Sequence, residues 1–254
     1  MLHGGFDPLR FAVAALAALL TGIAKTGVPG FGILAVPLMV LAVGDARHSA
    51  GWLLPLLCFA DLFAIAAYRR HADARRLFNL LPGVLGGIAL GSVTLDTGER
   101  GLRLLVAAIV IVMIGLRWLR GRRAVETGAA AAPPPRDRWW QAAGYGISAG
   151  FATTVANAAG PVMNLYFLAR RLPKHEFVAT GAWFFFVVNL IKLPIYQWHG
   201  LIDRRSLMFD LVLAPAVIAG ALLGRVLLRR MSQAIFERLV MALTVCTAAL
   251  LLIR

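Results

Sequence analysis

Apolar residues in this chain form long runs separated by short basic segments. Six runs have about the 20 residues that a helix needs to cross a bilayer, and they are residues 49–68, 77–95, 102–119, 177–198, 207–228 and 235–253. Two further apolar segments, residues 9–43 and 139–168, are interrupted by glycine and proline. The pattern predicts an all-α polytopic membrane protein.

The first interrupted segment holds the run GIAKTGVPGFGILAVP at residues 22–37. The whole segment is too long for one ordinary crossing and too short for two with a turn. We therefore expect two half-helices folded as a re-entrant hairpin. Non-helical backbone at membrane depth survives only where it is buried in protein or lines a cavity, so the break is a candidate site.

The chain carries a second copy of this plan. It begins GFATTVANAAGPVMNL, and a shift of 128 positions (150 minus 22) places Gly22 on Gly150 and Asp61 on Asn189. Beyond the next loop the shift becomes 133, so that the two copies differ by one insertion. The predicted organisation is a first transmembrane repeat (residues 1–119), a basic Ala/Pro-rich cytoplasmic linker (120–138) and a second repeat (139–254).

The distribution of basic residues predicts the orientation. If each broken segment is a hairpin, three crossings remain per half, and seventeen Lys and Arg residues fall on one side against seven on the other. If each broken segment crosses once, the division is fourteen against ten. Cytoplasmic loops carry the excess of Lys and Arg, which favours inverted repeats with both termini on the non-cytoplasmic side.

Composition agrees with a membrane protein and excludes several classes. The chain is 60% apolar and 15% charged, with a net charge of +14 that lies almost entirely in the short loops. Such loop charge indicates orientation rather than nucleic-acid binding. The N-terminal apolar run resembles a signal peptide, but its counterpart after Trp140 lies mid-chain, so we expect it to stay in the mature protein.

Lys25 is the most informative single residue, because a lysine at membrane depth costs about 2.5 to 3.5 kcal/mol on insertion scales. We interpret it as the main electrostatic ligand of an anion, beside backbone N–H groups at a half-helix N-terminus. The alternatives are a lysine that extends to the interface and a structural cap on the break.

Asp61, the only acid deep inside a predicted run, is a candidate for charge balance or coupling. It is expected to accept a proton or to pair with Lys25 or Lys192, and a structural interhelical hydrogen bond is the alternative. Asn189 has the same shape without the charge. Lys192 lies nearer a helix end, where extension to the interface is an equal alternative to ligation.

Uncharged donors and close backbone approach complete the predicted binding site. Thr26, Thr154 and Asn157 would donate hydrogen bonds, although Thr and Asn also join helices in membranes. The backbone is expected to approach the anion at three glycines, which are Gly27, Gly30 and Gly160.

Residues for other chemistry are missing from the sequence. The two cysteines make no disulfide framework or metal site, and the five histidines lie outside the predicted runs. We find no catalytic triad, nucleotide-binding loop or pair of carboxylates at membrane depth, which argues against an enzyme and an ATP-driven pump. No cofactor is expected.

Three stretches resemble the sulfite exporter TauE/SafE family, also called the toluene sulfonate uptake permeases. They are GIAKTGVPGFGILAVPLM, ADLFAIAAYRRHAD and GFATTVANAAGPVMNLYFLARRLPKHEFVATGAWFFFVVNLIKLPIY. Many members have a first motif richer in glycine, GIGGGxLxVP, which Val28, Pro29 and Phe31 interrupt here. The resemblance spans residues 16–252 and implies a bacterial inner-membrane carrier with eight helical segments, moving sulfite, sulfonates or related anions, often outward.

These observations lead to one functional hypothesis with two alternatives. We expect a secondary exporter of small sulfur-containing oxyanions in the bacterial inner membrane, with lipid around it and with coupled protons and a homodimer as further candidates. An importer or a channel for another small anion is the first alternative. A non-transporting membrane assembly factor is the second, and the short loops argue against it.

Overall fold

A computed structural model describes residues 7–94, 99–126, 139–156 and 158–253. In this part of the chain all regular structure is helical, with ten α-helices and one 3₁₀-helix. The helices are α1 (Pro8–Thr26), α2 (Gly32–Val43), α3 (Ala46–Tyr68), the 3₁₀-helix (Arg69–His71), α4 (Ala74–Val93), α5 (Glu99–Glu126), α6 (Trp139–Ala156), α7 (Ala159–Ala169), α8 (Lys174–Trp198), α9 (Arg204–Arg230) and α10 (Gln233–Ile253).

Six of the described helices are long and apolar enough to cross a membrane, namely α1, α3, α4, α8, α9 and α10. The predicted all-α polytopic class is confirmed.

The set of membrane-spanning helices differs from the sequence prediction in two places. Helix α1 qualifies as a span, whereas the apolar part of α5, Leu104–Leu119, belongs with the shorter apolar helices. Helix α5 also continues through residues 120–126, which we had assigned to the linker, while residues 127–138 lie outside the described ranges.

Both predicted breaks are present, but the two arms of each are unequal. Helix α1 has 19 residues and α2 has 12, which at 1.5 Å per residue is about 28 Å and about 18 Å. Compared with a hydrocarbon core about 30 Å thick, α1 is long enough to cross it and α2 is a half-helix. Gly30 has a φ of 123°, a conformation that glycine adopts without steric cost. The second break separates α6, of 18 residues, from α7, of 11.

The chain divides into two compact units that cut across the predicted halves. Unit 1 comprises Met1–Ala72 and Lys174–Phe236, and unit 2 comprises Asp73–Pro173 and Glu237–Arg254. Each unit thus takes helices from both predicted halves. The division into two sequence repeats joined by a linker stays a prediction, because it concerns duplication rather than packing.

In unit 1, α1 packs against α2, α3 and α9, and α3 packs against α8. Small side chains of α1 meet larger ones of α3 and α9 in a core cluster. The core cluster consists of Ala14, Ala17, Ala18, Ala35, Met39, Ala42, Trp52, Leu53, Leu56, Ala60, Phe209, Leu213 and Val217. Small residues allow membrane helices to approach closely and gain dispersion contacts.

The contacts also give the directions of the helices in unit 1. Near the start of α1 and of α3, Phe11 and Trp52 both contact the ring of Phe209, with centroids 6.2 and 5.2 Å away. At the opposite ends, the Tyr68 hydroxyl donates to the Thr26 carbonyl oxygen at 2.9 Å. Helices α1 and α3 therefore run in the same direction.

Helices α3 and α8 run in opposite directions. Tyr68 at the end of α3 contacts His175 at the start of α8, with 5.8 Å between ring centroids. Gly51 near the start of α3 lies against Leu201, just after α8, where a Cβ would be 2.2 Å from the carbonyl oxygen. These two helices occupy equivalent positions in the predicted repeats.

Glycines bring α1 and α9 into backbone contact. A Cβ added at Gly22 would lie 2.2 Å from the carbonyl oxygen of Val217. One added at Gly220 would lie 2.0 Å from the carbonyl oxygen of Leu19. Any larger side chain at either position would force the two helices apart.

The same contacts recur between α6 and α4 in unit 2. A Cβ at Gly150 would lie 2.2 Å from the carbonyl oxygen of Val84, and one at Gly87 would lie 2.1 Å from that of Ile147. Gly150 and Ile147 of α6 follow Gly22 and Leu19 of α1 by 128 positions. Val84 and Gly87 of α4 precede Val217 and Gly220 of α9 by 133 positions. These are the two shifts found in the sequence. Each unit therefore contains one copy of the same glycine-lined helix pair.

Candidate functional site

The centre of the candidate site is an ion pair between Lys25 and Asp61. Lys25 lies in the last turn of α1, where a positive charge is favoured by the helix dipole. Its Nζ donates to Asp61 Oδ2 at 3.0 Å and lies 2.8 Å from Oδ1. Of the two partners that the sequence offered for Asp61, Lys25 makes this ion pair.

Asp61 is held from a second side by its own repeat equivalent. Asn189 of α8 donates from Nδ2 to Asp61 Oδ2 at 3.1 Å. Because α3 and α8 are antiparallel and lie side by side, equivalent positions of the two copies can meet at one level. The structural alternative for Asp61, an interhelical hydrogen bond, is therefore present together with the ion pair.

An aromatic ring covers the ammonium group. The Nζ of Lys25 lies 4.4 Å from the centroid of the Phe185 ring, within the range of a cation–π interaction. Sequence reasoning did not assign Phe185 to the site. The signal available was its position four residues before Asn189 on α8, which puts both side chains on the same helix face.

Burial differs sharply across the pair. The Lys25 side chain is 12% exposed, whereas that of Asp61 is 0% exposed. The lysine side chain is therefore partly open, whereas the Asp61 carboxylate is sealed by its neighbours.

Lys192 is also buried, one helical turn before Tyr196 on α8. Its Nζ lies 5.0 Å from the centroid of the Tyr196 ring. The structure therefore places this predicted residue in unit 1, with its ammonium beside an aromatic face.

Thr26 and Gly27 follow Lys25 and lie against α9. The Thr26 hydroxyl donates to the Ala221 carbonyl oxygen at 2.7 Å and to that of Gly22 at 3.1 Å. A Cβ at Gly27 would lie 2.7 Å from the Cα of Gly224. In this conformation both predicted ligands join α1 to α9.

Gly30 belongs to the turn that starts α2. The N–H of Ile33 donates to the Gly30 carbonyl oxygen at 3.1 Å, and the N–H of Leu34 donates to that of Phe31 at 3.1 Å. No side chain caps this helix start. The local turn thus engages two of the N–H groups on which an anion would depend.

The three binding residues predicted around the second break lie in unit 2 or outside the described residues. The Thr154 hydroxyl donates to the Gly150 carbonyl oxygen at 2.9 Å. A Cβ at Gly160, near the start of α7, would meet none of the described neighbouring atoms within 4 Å. Asn157 falls outside the described ranges. Their roles in binding stay predictions.

Asp61 is not the only buried acid in the helices of unit 1. Asp210 of α9 is 6% exposed, and neither of its carboxylate oxygens has a hydrogen-bond partner among the described residues. It lies near the end of a predicted run, where the sequence does not distinguish a solvated acid from a buried one. Packing of α9 against α1 and α3 decides the matter.

Metal-binding chemistry finds no support in the described residues. Across residues 7–94, 99–126, 139–156 and 158–253, no group of three or more His, Cys, Asp or Glu side chains is close enough to hold a metal ion.

Comparison with known proteins gives one match. The family model described as Sulfite exporter TauE/SafE matches residues 13–251, which is nearly the whole chain. No curated protein and no solved structure matches it.

Proposed function

Since the chain belongs to the sulfite exporter TauE/SafE family, we propose that it exports sulfite or small organosulfonates across the bacterial inner membrane. The family is one of membrane transporters of sulfur-containing anions and is not enzymatic. The six apolar helices and this membership make the chain a multi-pass membrane transporter. The particular anion, the outward direction and the inner membrane are our proposal.

The Lys25–Asp61 ion pair is the observation that carries the proposal. Charged side chains within membrane helices are costly and are generally retained for function. Here the lysine side chain keeps some exposure, whereas that of its carboxylate partner has none. An arriving oxyanion therefore competes with Asp61 for Lys25, since both accept hydrogen bonds from the same charged donor.

This competition provides two states of the site. Without substrate, Lys25 is held by Asp61 and lies against the ring of Phe185. With substrate, the ammonium donates to the oxyanion, and Asn189 continues to donate to Asp61. Thr26, Gly27 and Gly30, which surround the break, are proposed to contribute donors and backbone approach once α1 and α2 adjust around the anion.

We propose inverted repeats as the architecture that presents this site. The parallel course of α1 and α3 fits a hairpin between them, because a single crossing of the broken segment would reverse α3. The antiparallel course of α3 and α8 fits an odd number of crossings per half. Broken helices of inverted repeats commonly form the sites of secondary transporters.

The orientation has its own test. Inverted repeats with the observed charge distribution put both termini on the non-cytoplasmic side. A reporter that is active only outside the cytoplasm should therefore be active when it is fused after Arg254. A cytoplasmic reporter at that position would contradict the orientation.

Sulfite flux in reconstituted vesicles tests the function. Neutralising both members of the pair, in Lys25→Gln/Asp61→Asn, avoids leaving one buried charge unpaired. We expect apparent sulfite affinity to fall on the order of 10- to 100-fold, from about 1.5–3 kcal/mol for a hydrogen bond to a charged group. The control is Thr153→Val, which changes the position equivalent to Lys25 in the second copy.

The outcomes separate the parts of the proposal. Saturable sulfite flux that is unchanged in the folded double variant would remove Lys25 from the mechanism. Absence of sulfite and sulfonate flux in the wild-type protein would contradict the substrate class. Another ligand could then be found by screening a panel of anions for those that raise the thermal stability of the solubilised protein, since binding to the folded state stabilises it.

A further inference from the structure

A second buried carboxylate, remote in sequence from the ion pair, has no assigned role. Asp210 lies in the second turn of α9, and both of its side-chain oxygens are buried without a hydrogen-bond partner in the part of the chain that the structure describes. Buried polar groups are almost always hydrogen-bonded, so a group without a partner requires an explanation. An ionised carboxylate in such a place would be strongly unfavourable.

The buried residues nearest Asp210 on α9 are mostly apolar, and the buried Ser206, one turn earlier, has its hydroxyl bonded to the backbone of Asp203. The helix neighbours Phe209 and Leu213 of Asp210 belong to the core cluster, together with Ala14 of α1 and Trp52 of α3. The side chain therefore lies on the face of α9 that packs against those two helices.

Among the described side chains, no charge has been found to compensate this carboxylate. Helix α9 packs against α1 and α3, and the titratable groups with described side chains at the same end of those helices are Asp7, Arg10, Asp45 and His48. All four are exposed, and His48 pairs with Asp45. Deeper along the same helices, Lys25 and Asp61 pair with each other. On α9 itself, Arg204 and Arg205 are exposed at the helix start.

The fold does not require an acid at this position. Asp210 corresponds to Leu77 under the shift of 133 positions that relates α9 to α4. Helix α4 makes the same glycine-lined contact with α6 that α9 makes with α1, and it does so with leucine at the equivalent place. The acid is thus specific to one copy of a duplicated helix pair.

We propose that Asp210 is the proton-binding site of the transporter and carries a proton in the conformation described here. A proton needs one carboxylate lone pair, whereas a metal cation needs several oxygen ligands, which the apolar neighbours do not supply. Asp61 differs because Lys25 and Asn189 stabilise its charge. The site lies six residues into α9, about 9 Å from the helix start, so a small movement exposes it to solvent, where it releases the proton.

The proposal rests on the proposed anion transport, and the experiment separates the two. Wild-type protein, Asp210→Asn and Asp210→Leu are reconstituted in vesicles with labelled sulfite. Sulfite accumulation driven by an imposed proton gradient is measured beside sulfite exchange at equal concentrations without a gradient. We expect both variants to lose gradient-driven accumulation while exchange continues. Asp203→Asn is the matched control, because it removes an exposed acid from the same helix while asparagine still caps it.

Infrared spectroscopy gives a readout that does not depend on transport. The C=O stretching band of a protonated carboxylic acid should be present in the wild type and in Asp203→Asn, and lost in Asp210→Asn. An unchanged band, or gradient-driven accumulation in the Asp210 variants, would overturn the proposal. Failure of both variants to fold would also overturn it, because the acid would then be structural. Absence of any sulfite flux in the wild type would instead contradict the anion function on which it rests.

Discussion

Removing the two charges of the Lys25–Asp61 pair one at a time should destabilise the protein unequally. Lys25→Gln leaves a carboxylate that is 0% exposed, with Asn189 as its remaining hydrogen-bond donor. Breaking a buried pair in this way costs about 3–5 kcal/mol. Asp61→Asn leaves a lysine whose side chain is 12% exposed and whose ammonium lies against Phe185, so we expect a smaller cost, about 1–3 kcal/mol.

The double variant Lys25→Gln/Asp61→Asn should recover most of this loss. Two neutral side chains of similar size need no compensating charge, and replacing a buried pair is often close to neutral. We expect it to lie within about 1 kcal/mol of the wild type. The coupling energy from the cycle would then be about 3 kcal/mol or more, as for residues in direct contact.

Thermal unfolding of the solubilised protein measures the cycle. For a chain of this length about 1 kcal/mol corresponds to a Tm shift of about 2–4 °C, so Lys25→Gln should lower Tm by roughly 6–20 °C. Additive effects of the two substitutions would refute the reasoning, since they would mean that the charges do not interact. A larger loss in Asp61→Asn than in Lys25→Gln would refute the role of the unequal exposure.

Three further predictions concern contacts between helices within each unit and use the same unfolding measurement. Gly87→Ala should destabilise the protein by about 1–3 kcal/mol because it overpacks a backbone contact, whereas Gly86→Ala, which faces open space, should be neutral or slightly stabilising. Equal effects would contradict the packing of α4 on α6. Thr26→Val should cost about 0.6–1.7 kcal/mol for its interhelical hydrogen bond, and Thr21→Val less, because that hydroxyl bonds only within its own helix. Tyr68→Phe removes the bond to the end of α1 and should cost about 0.5–1.5 kcal/mol, and an unchanged Tm would argue against that contact.

Much of the fold could be predicted from the sequence because it depends on local properties. The helical class, most of the spans and the positions of the two breaks follow from runs of apolar residues and from glycine and proline. The extent of α1 as a full-length helix did not follow, since Lys25 and the glycines nearby suggested an earlier break. Lys25 is accommodated at a helix end by Asp61 and the helix dipole.

The candidate site was only partly predictable. The sequence identified Lys25, Asp61 and Asn189 as residues that are unusual at membrane depth, and the structure brings these three together. It did not identify Phe185, for which the spacing of four residues from Asn189 was the available signal. Nor did the sequence show that the Thr26 hydroxyl donates a hydrogen bond to α9, because the acceptor, the carbonyl oxygen of Ala221, lies 195 positions away along the chain.

By itself, therefore, the sequence determined that this is an all-helical membrane protein with interrupted helices and a lysine beside the first break, and it predicts a duplication. These properties arise because partition into lipid and interruption of a helix depend on residues within one turn or one span. Only the tertiary structure decided that Lys25 pairs with Asp61 and that Asp210 is buried without a partner. Both outcomes depend on which faces of α1, α3, α8 and α9 contact one another. That packing is determined jointly by residues that are far apart in the chain.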